Sequence, residues 1–302
     1  MLQPHGTAYY DVNQKESVVN PNLWIEEKLD DSYGMRFRVT EVLFTGKSKF
    51  QEVDVVRTAG HGVMLLNDGY IMLTERDEFA YHDMIVHVPL FVHPNPKRVL
   101  IIGGGDGGTA REVLRHPSVE ECVVVEIDSM VVQACRDHIP QTSVSFDDDK
   151  VELIIGDGVA YVAETNRTFD VVLVDSTDPI GPAQPLFGEA FYRNVHRVLA
   201  SDGIVVSQGE TPWYRQNVQR ELSGILHTVF ARNHVYNFSN LSYPGGLWSF
   251  TFASKGLHPL RDVDASRAQQ QCFHYYNNDV HWAAFALPTF QQRSVNGVVS
   301  SL

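Results

Sequence analysis

The strongest constraint on the fold is a short stretch near the middle of the chain. Val99-Leu100-Ile101-Ile102 is apolar without interruption, the pattern of a strand buried on both faces. It runs directly into Gly103-Gly104-Gly105-Asp106-Gly107-Gly108, after which Gly108 to Arg115 reads as a helix. Further strand-like runs follow at Cys122 to Glu126, Val151 to Ile155, Asp170 to Val174 and Gly203 to Ser207. Helical stretches at Ser129 to His138 and Asn217 to Phe230 alternate with them, the second carrying one apolar stripe of Val218, Leu222, Ile225, Leu226 and Val229. This alternation predicts an α/β fold: a Rossmann-like, doubly wound parallel sheet with helices on both faces.

The first 75 or so residues have a different texture. Arg36 to Phe44 and Val53 to Val56 are β-formers, and Asn67-Asp68-Gly69 separates two apolar runs as a tight hairpin turn would. The expected organisation is a small antiparallel β-domain over residues 1–75 and a Rossmann-like catalytic domain over 76–302. Free edges of the small sheet favour pairing between chains, so a homodimer or homotetramer is expected.

Composition narrows the partners. With 24 Lys and Arg against 37 Asp and Glu the net charge is −13, which removes the basic surface needed by nucleic acid or anionic lipid and favours cationic ligands. Cys122, Cys135 and Cys272 are odd in number and lack Cys-x-x-Cys spacing, which argues for reduced thiols rather than a disulfide framework or zinc site. No apolar run reaches membrane-spanning length and the segment Met1 to Val12 has no signal-peptide pattern, so a cytoplasmic location is expected.

The glycine loop satisfies Gly-x-Gly-x-x-Gly between a strand and a helix, and Glu126 ends the next strand about twenty residues on, where an acid binds ribose hydroxyls. Asp106 inside the loop would repel a pyrophosphate, so a nucleoside without phosphates, such as an S-adenosyl sulfonium, fits better than a dinucleotide. Ligands of open α/β sheets bind beyond the carboxyl ends of the strands. Asp106, Glu126, Asp157 and Asp175 fall at four such ends, and their mutual repulsion calls for a ligand carrying several positive charges. Ser176 to Gly188, with Pro179, Gly181, Pro182 and Pro185, is the candidate lid. His82, His87 and His93 are not spaced as metal ligands on one helix face, no Gly-x-Ser-x-Gly elbow is present, and Trp248 and Phe250 read as packing residues of a late strand.

These residues resemble a known family. GGGDGG at Gly103 to Gly108, VEID at Val125 to Asp128, GDG at Gly156 to Gly158, DSTDPIGP at Asp175 to Pro182 and YYNNDVHWAAFALP at Tyr275 to Pro288 look like the spermidine synthases, a family of polyamine aminopropyltransferases. The resemblance runs from about Lys28 to Phe290. It implies transfer of the aminopropyl group of decarboxylated S-adenosylmethionine, as co-substrate and without a prosthetic group or metal, to putrescine, giving spermidine and 5′-methylthioadenosine. It further implies that Gly103 and Gly105 form the nucleoside loop, that Glu126 binds the ribose, and that Asp157 and Gly158 sit beside the adenine. Gln51 and Pro182 match nucleoside-site residues, and Asp106 matches the acid that holds the aminopropyl ammonium. Asp175 matches the catalytic base, and Tyr81, His82, Asp178, Gln208 and Tyr243 match polyamine-side residues; Asp175 can take the amine proton directly or through Tyr81. The chain departs from the pattern at Leu241-Ser242-Tyr243, where many relatives have Pro-Thr-Tyr. An S-adenosylmethionine methyltransferase and a non-catalytic nucleoside-binding paralogue are the alternatives on the same fold.

Overall fold

A computed structural model describes residues 22–29, 31–177 and 181–302. The first sheet is an antiparallel meander of β1 (Trp24–Lys28), β2 (Gly34–Lys47), β3 (Glu52–Thr58), β4 (Gly62–Asn67) and β5 (Tyr70–Thr74), paired in chain order. Its β4–β5 hairpin closes over Asp68 and Gly69 at φ 49° and 82°, the pair of left-handed residues that matches the twist of a two-residue turn. Alternation then sorts the side chains by face. Val63 and Leu65 join Val53 and Val55 against Val131, Ala134, Cys135 and Ile139 of the second unit. Met64 and Leu66 join Phe37, Val39, Val56 and Ile71 on the opposite face. The residues of that second face are buried, and Trp24 and Val42 on the same sheet are exposed.

The chain next forms α1 (Glu78–Val92), β6 (Arg98–Gly103), α2 (Gly108–Leu114), β7 (Glu121–Glu126), α3 (Ser129–His138), α4 (Pro140–Ser143), β8 (Val151–Ile155) and α5 (Gly158–Glu164). It continues through β9 (Phe169–Asp175), α6 (Glu189–Val198), β10 (Leu199–Gln208), α7 (Gln216–Val229), β11 (Arg232–Ser239) and β12 (Leu247–Ser254), and closes with three short helices. The seven strands order as β11-β12-β10-β9-β6-β7-β8. The five from β10 to β8 are parallel, and β12 and β11 add antiparallel to β10 and to each other.

Continuous apolar runs work here because both sheet faces are buried. Val99, Ile101, Val124 and Leu173 pack towards α1, whereas Leu100, Ile102, Val123 and Val172 pack towards α6 and α7. Helix α1 has no counterpart in the sequence reading. Almost all of its residues are buried, so it lacks the polar face whose periodicity would reveal a helix. Cys122 and Cys135 are buried and Cys272 exposed, all as free thiols. Among the described residues no helix is long and apolar enough to cross a membrane.

Candidate active site

Strand order reverses between β6 and β9, the neighbouring pair from which the connections run to opposite sides of the sheet. A crevice opens at such a point, and here Gly103 lies in register with Asp175. Gly103 and Gly104 adopt φ of 87° and 72°, and a Cβ on Gly103 would stand 2.0 Å from the carbonyl oxygen of Asp175. Glycine is therefore required where the loop crosses the end of β9. The resulting cleft is lined by Gln51, Tyr81, His82, Gly103, Gly105, Asp106, Glu126, Asp157, Gly158, Asp175, Gln208 and Tyr243, with Trp248. Its empty space, the open mouth included, is 1380 Å³.

Asp175 is held at both carboxylate oxygens. The Tyr81 hydroxyl donates to its Oδ1 at 2.8 Å and the Thr109 hydroxyl to its Oδ2 at 2.6 Å. Burial and the charge of Asp106 push its carboxyl above the ordinary range, against the pull of His82, Thr109 and Tyr81. Burial, then the carboxylate of Asp175, holds the Tyr81 phenol well above its usual value, so Tyr81 is a neutral donor at physiological pH. Asp106 behaves oppositely. Its burial penalty is outweighed by His82 and by the Gly108 N–H, which donates to Oδ1 at 2.7 Å, and its pKa is lowered.

The Glu126 side of the cleft is built across the two sheets. Glu126 is buried and accepts the Asp128 N–H at 2.8 Å. Asp128 in turn caps α3 and accepts from Ser48 Oγ at 2.7 Å and Gln51 Nε2 at 3.1 Å, both on the β2–β3 connection. Gln51 thus orients Asp128 from the small sheet while it lines the cleft. Asp157 is exposed and caps α5 through the Val159 N–H. A Cβ on Gly158 would meet Ile102 at 2.5 Å, and one on Gly105 would meet the Glu126 side chain at 3.0 Å.

Burial, reinforced by the charges of Asp128, Asp175 and Asp106, pushes Glu126 up to about 7 against the Asp128 hydrogen bond. An unfolded glutamate titrates near 4.3. The folded chain holds that proton more tightly, so this group lowers stability as pH rises from the unfolded value through about 7. Glu126→Gln is expected to melt higher than the parent at pH 8, by about 1–3 kcal/mol of stability, to lose that advantage near pH 4, and to bind methylthioadenosine poorly. Melting curves of the ligand-free proteins across pH check it.

Elsewhere in the cleft, Tyr243 donates to the Met72 carbonyl at 2.6 Å and so ties β5 to the β11–β12 connection. Gln208 is buried, its Oε1 accepting the Glu210 N–H at 2.6 Å. Asp178 lies outside the described residues, and Pro182 is described only as part of the 3-10 turn Gly181–Phe187. The candidate lid is therefore described in part, with Ala183 and Leu186 lining the cleft.

Two readings of the sequence change. The acids do not depend on a ligand for all their countercharge: His82, buried beside Asp106, supplies a cation from within the protein. Trp248 is not packing alone, since it lines the cleft beside Tyr243 at 4.9 Å between rings, with a buried Nε1 that has no hydrogen-bond partner. Its place in an apolar strand conceals it in the sequence. Thr109 and Asp128 were also not singled out as site residues, although Asp128 ends the VEID motif. His87 is buried between Glu112 at 3.1 Å and His116 at 2.9 Å.

Fold and cleft together define an α/β protein with an acid-lined crevice at the carboxyl ends of its parallel strands, suited to a positively charged ligand. A family model described as spermine/spermidine synthase domain matches residues 78–264, and one described as spermidine synthase tetramerisation domain matches 23–75. A polyamine aminopropyltransferase of Caldicellulosiruptor saccharolyticus is 43% identical over 273 residues, covering 90% of this chain and 98% of its own. One of Shouchella clausii is 42% identical over 269 residues, covering 89% and 98%. The crystal structure of a spermidine synthase with the transition-state analogue AdoDATO superposes with TM-score 0.89 at 41% identity, over 91% of this chain and 95% of that one. That of the Thermotoga maritima spermidine synthase gives 0.88, also at 41%, over 91% and 94%. The chain belongs to the polyamine aminopropyltransferase family.

Proposed function

We propose that this chain makes spermidine, moving the aminopropyl group of decarboxylated S-adenosylmethionine to putrescine and releasing 5′-methylthioadenosine. The observation that carries the reading is the pairing, at the β6–β9 crevice, of an ionised Asp106 with an Asp175 whose carboxyl is raised and held by Tyr81 and Thr109. A transfer from a sulfonium needs these two properties: an anion to hold the arm's ammonium and a base to free the attacking amine. The thioether that leaves is neutral and takes no proton. In this reading Asp175 accepts the amine proton, with Tyr81 passing it or simply orienting the carboxylate. The amine lone pair then forms a bond to the carbon next to sulfur as the carbon–sulfur bond breaks.

Glu126 holds the ribose, and Asp157 and Gly158 flank the adenine, with Gln51 and Pro182 completing the nucleoside side. His82, Asp178, Gln208 and Tyr243 lie on the acceptor side, and Trp248 joins them there. The domain boundary is placed between residues 75 and 76, a reading supported by family matches that end at 75 and begin at 78. Free buried thiols at Cys122 and Cys135 support cytoplasmic residence. The test is an acceptor panel of putrescine, cadaverine, agmatine and spermidine with decarboxylated S-adenosylmethionine, products separated chromatographically. Putrescine should give the highest kcat/KM, and preference for another amine would overturn the choice of acceptor while leaving the transferase.

Assembly into a dimer or tetramer is part of the same proposal. On the first sheet Val42 is 53% and Trp24 42% exposed, apolar surface that suits a partner chain better than water. Val42→Arg should shift sedimentation towards smaller species at micromolar concentration, whereas the same change at a scattered surface site should not.

A further inference from the structure

One chain of charge-assisted contacts enters the cleft from behind. Arg111 of α2 grips Glu78 of α1 with a two-pronged fork, Nη1 to Oε1 and Nη2 to Oε2, both at 2.9 Å. Glu78 Oε2 lies 2.5 Å from His82 Nδ1, and His82 Nε2 lies 3.3 Å from Asp106 Oδ1. The Gly108 N–H also donates to Oδ1. Among the described residues, the hydrogen bond and the ion pair of Asp106 both fall on Oδ1.

The last glycine of the loop fits this chain. Gly108 is absent from the positive-φ residues, so its backbone alone does not demand glycine. A Cβ there would lie 2.2 Å from His82 Cε1 and 2.4 and 2.5 Å from the two ring nitrogens. The missing side chain is space for the imidazole.

We propose that Arg111, Glu78 and His82 form a positioning device that separates the roles of Asp106 and Asp175, and that Gly108 is glycine to admit its ring. The proposal rests on the reading of Asp106 as the group that binds the aminopropyl ammonium. Oxygens of Asp106 and Asp175 and a ring nitrogen of His82 lie within 4.8 Å of one another, close enough for the charge of one acid to disfavour ionisation of the other. A fixed imidazolium against Asp106 keeps that acid ionised and leaves the proton-accepting role to Asp175.

The groups facing His82 are Glu78 and Tyr81 on α1, Asp106 before α2, Arg111 on α2 and Asp175 at the end of β9. Burial disfavours the imidazolium, but Asp106 and Glu78 outweigh it and hold His82 at about 10. Glu78 stays ionised near 2, because its burial is offset by His82 and Arg111. His82 and Asp106 shift in the directions expected of one ion pair.

The test compares decarboxylated S-adenosylmethionine with methylthioadenosine, which lacks the arm, by calorimetry from pH 6 to 9 on the whole protein. In His82→Gln, which has no positive charge, the arm-bearing ligand should lose affinity about tenfold or more at pH 7 and regain most of it by pH 9, as Asp106 ionises unaided. Methylthioadenosine should bind as in the parent, which also reports the fold. Gly108→Ala, which displaces the ring but deletes nothing from it, should show the same pH-dependent loss and carries the test if His82→Gln does not fold. Equal, pH-independent losses for both nucleosides, or an unchanged ratio between them, would overturn the device. If Asp106→Asn collapses the ratio while His82→Gln does not, only the device falls. If Asp106→Asn leaves the ratio intact, the reading of Asp106 falls first and the device with it.

Discussion

Asp175→Asn should lower turnover at neutral pH by about 10²-fold or more while leaving methylthioadenosine affinity within about threefold. The attacking amine resembles a lysine, with a pKa of roughly 10, so baring its lone pair at pH 7 costs about 4 kcal/mol without a base. Asp175 is placed to take that proton: its two oxygens are fixed by Tyr81 and Thr109, and its carboxyl is raised by burial and by Asp106. Asparagine preserves the shape and removes the capacity to accept. The residual rate should then climb with pH, about tenfold per unit, as the amine deprotonates in solution. Initial rates of methylthioadenosine release at saturating substrates, from pH 6 to 9, check both statements. Near-parental turnover at pH 7 would assign the base elsewhere, with Tyr81 or a water next in line.

The second large effect belongs to the co-substrate. Asp106→Asn should weaken decarboxylated S-adenosylmethionine by about 10²-fold, leave methylthioadenosine nearly unchanged, and narrow the preference over ordinary S-adenosylmethionine. At about 4 Å and an effective dielectric near 20, one ammonium–carboxylate contact is worth roughly 4 kcal/mol before desolvation, so about two-thirds surviving, at about 1.4 kcal/mol per tenfold, would give that loss. Ordinary S-adenosylmethionine carries a carboxylate beside its ammonium, and Asp106 repels it. Calorimetric titration of the three nucleosides reads the pattern. Equal losses for all three would reduce Asp106 to its hydrogen bond with the Gly108 N–H at the start of α2, and the methyltransferase alternative would regain ground.

Much of the architecture was legible because it is written locally. A strand buried on both faces must be apolar at every position, and Val99 to Ile102 and Cys122 to Val125 announce themselves that way. A loop that crosses the end of a strand needs glycine, and Gly103 and Gly104 occupy positive φ there. Acids at strand ends stand out against such runs, so Asp106, Glu126, Asp157 and Asp175 could be grouped before their distances were known. They all line one cleft. The hairpin at Asp68-Gly69 was readable for the same reason, since the turn's backbone angles are a property of the two residues themselves.

What the chain order concealed is whatever depends on which elements meet. Helix α1 is enclosed on every side, and a helix without a polar face has no period to read. Trp248 is one of many apolar residues in its strand until β12 comes to rest against the cleft. Gln51 reaches Asp128 across 77 residues, and Arg111 reaches Glu78 across 33. No local rule links those pairs. By itself the sequence determined the kind of sheet, the glycine loop and the set of acids, because sterics and burial act on neighbours along the chain. Only the tertiary structure decided that Asp106 is ionised beside a buried His82 while Asp175 is raised, because a carboxyl's proton affinity is set by the charges and burial that folding gathers around it.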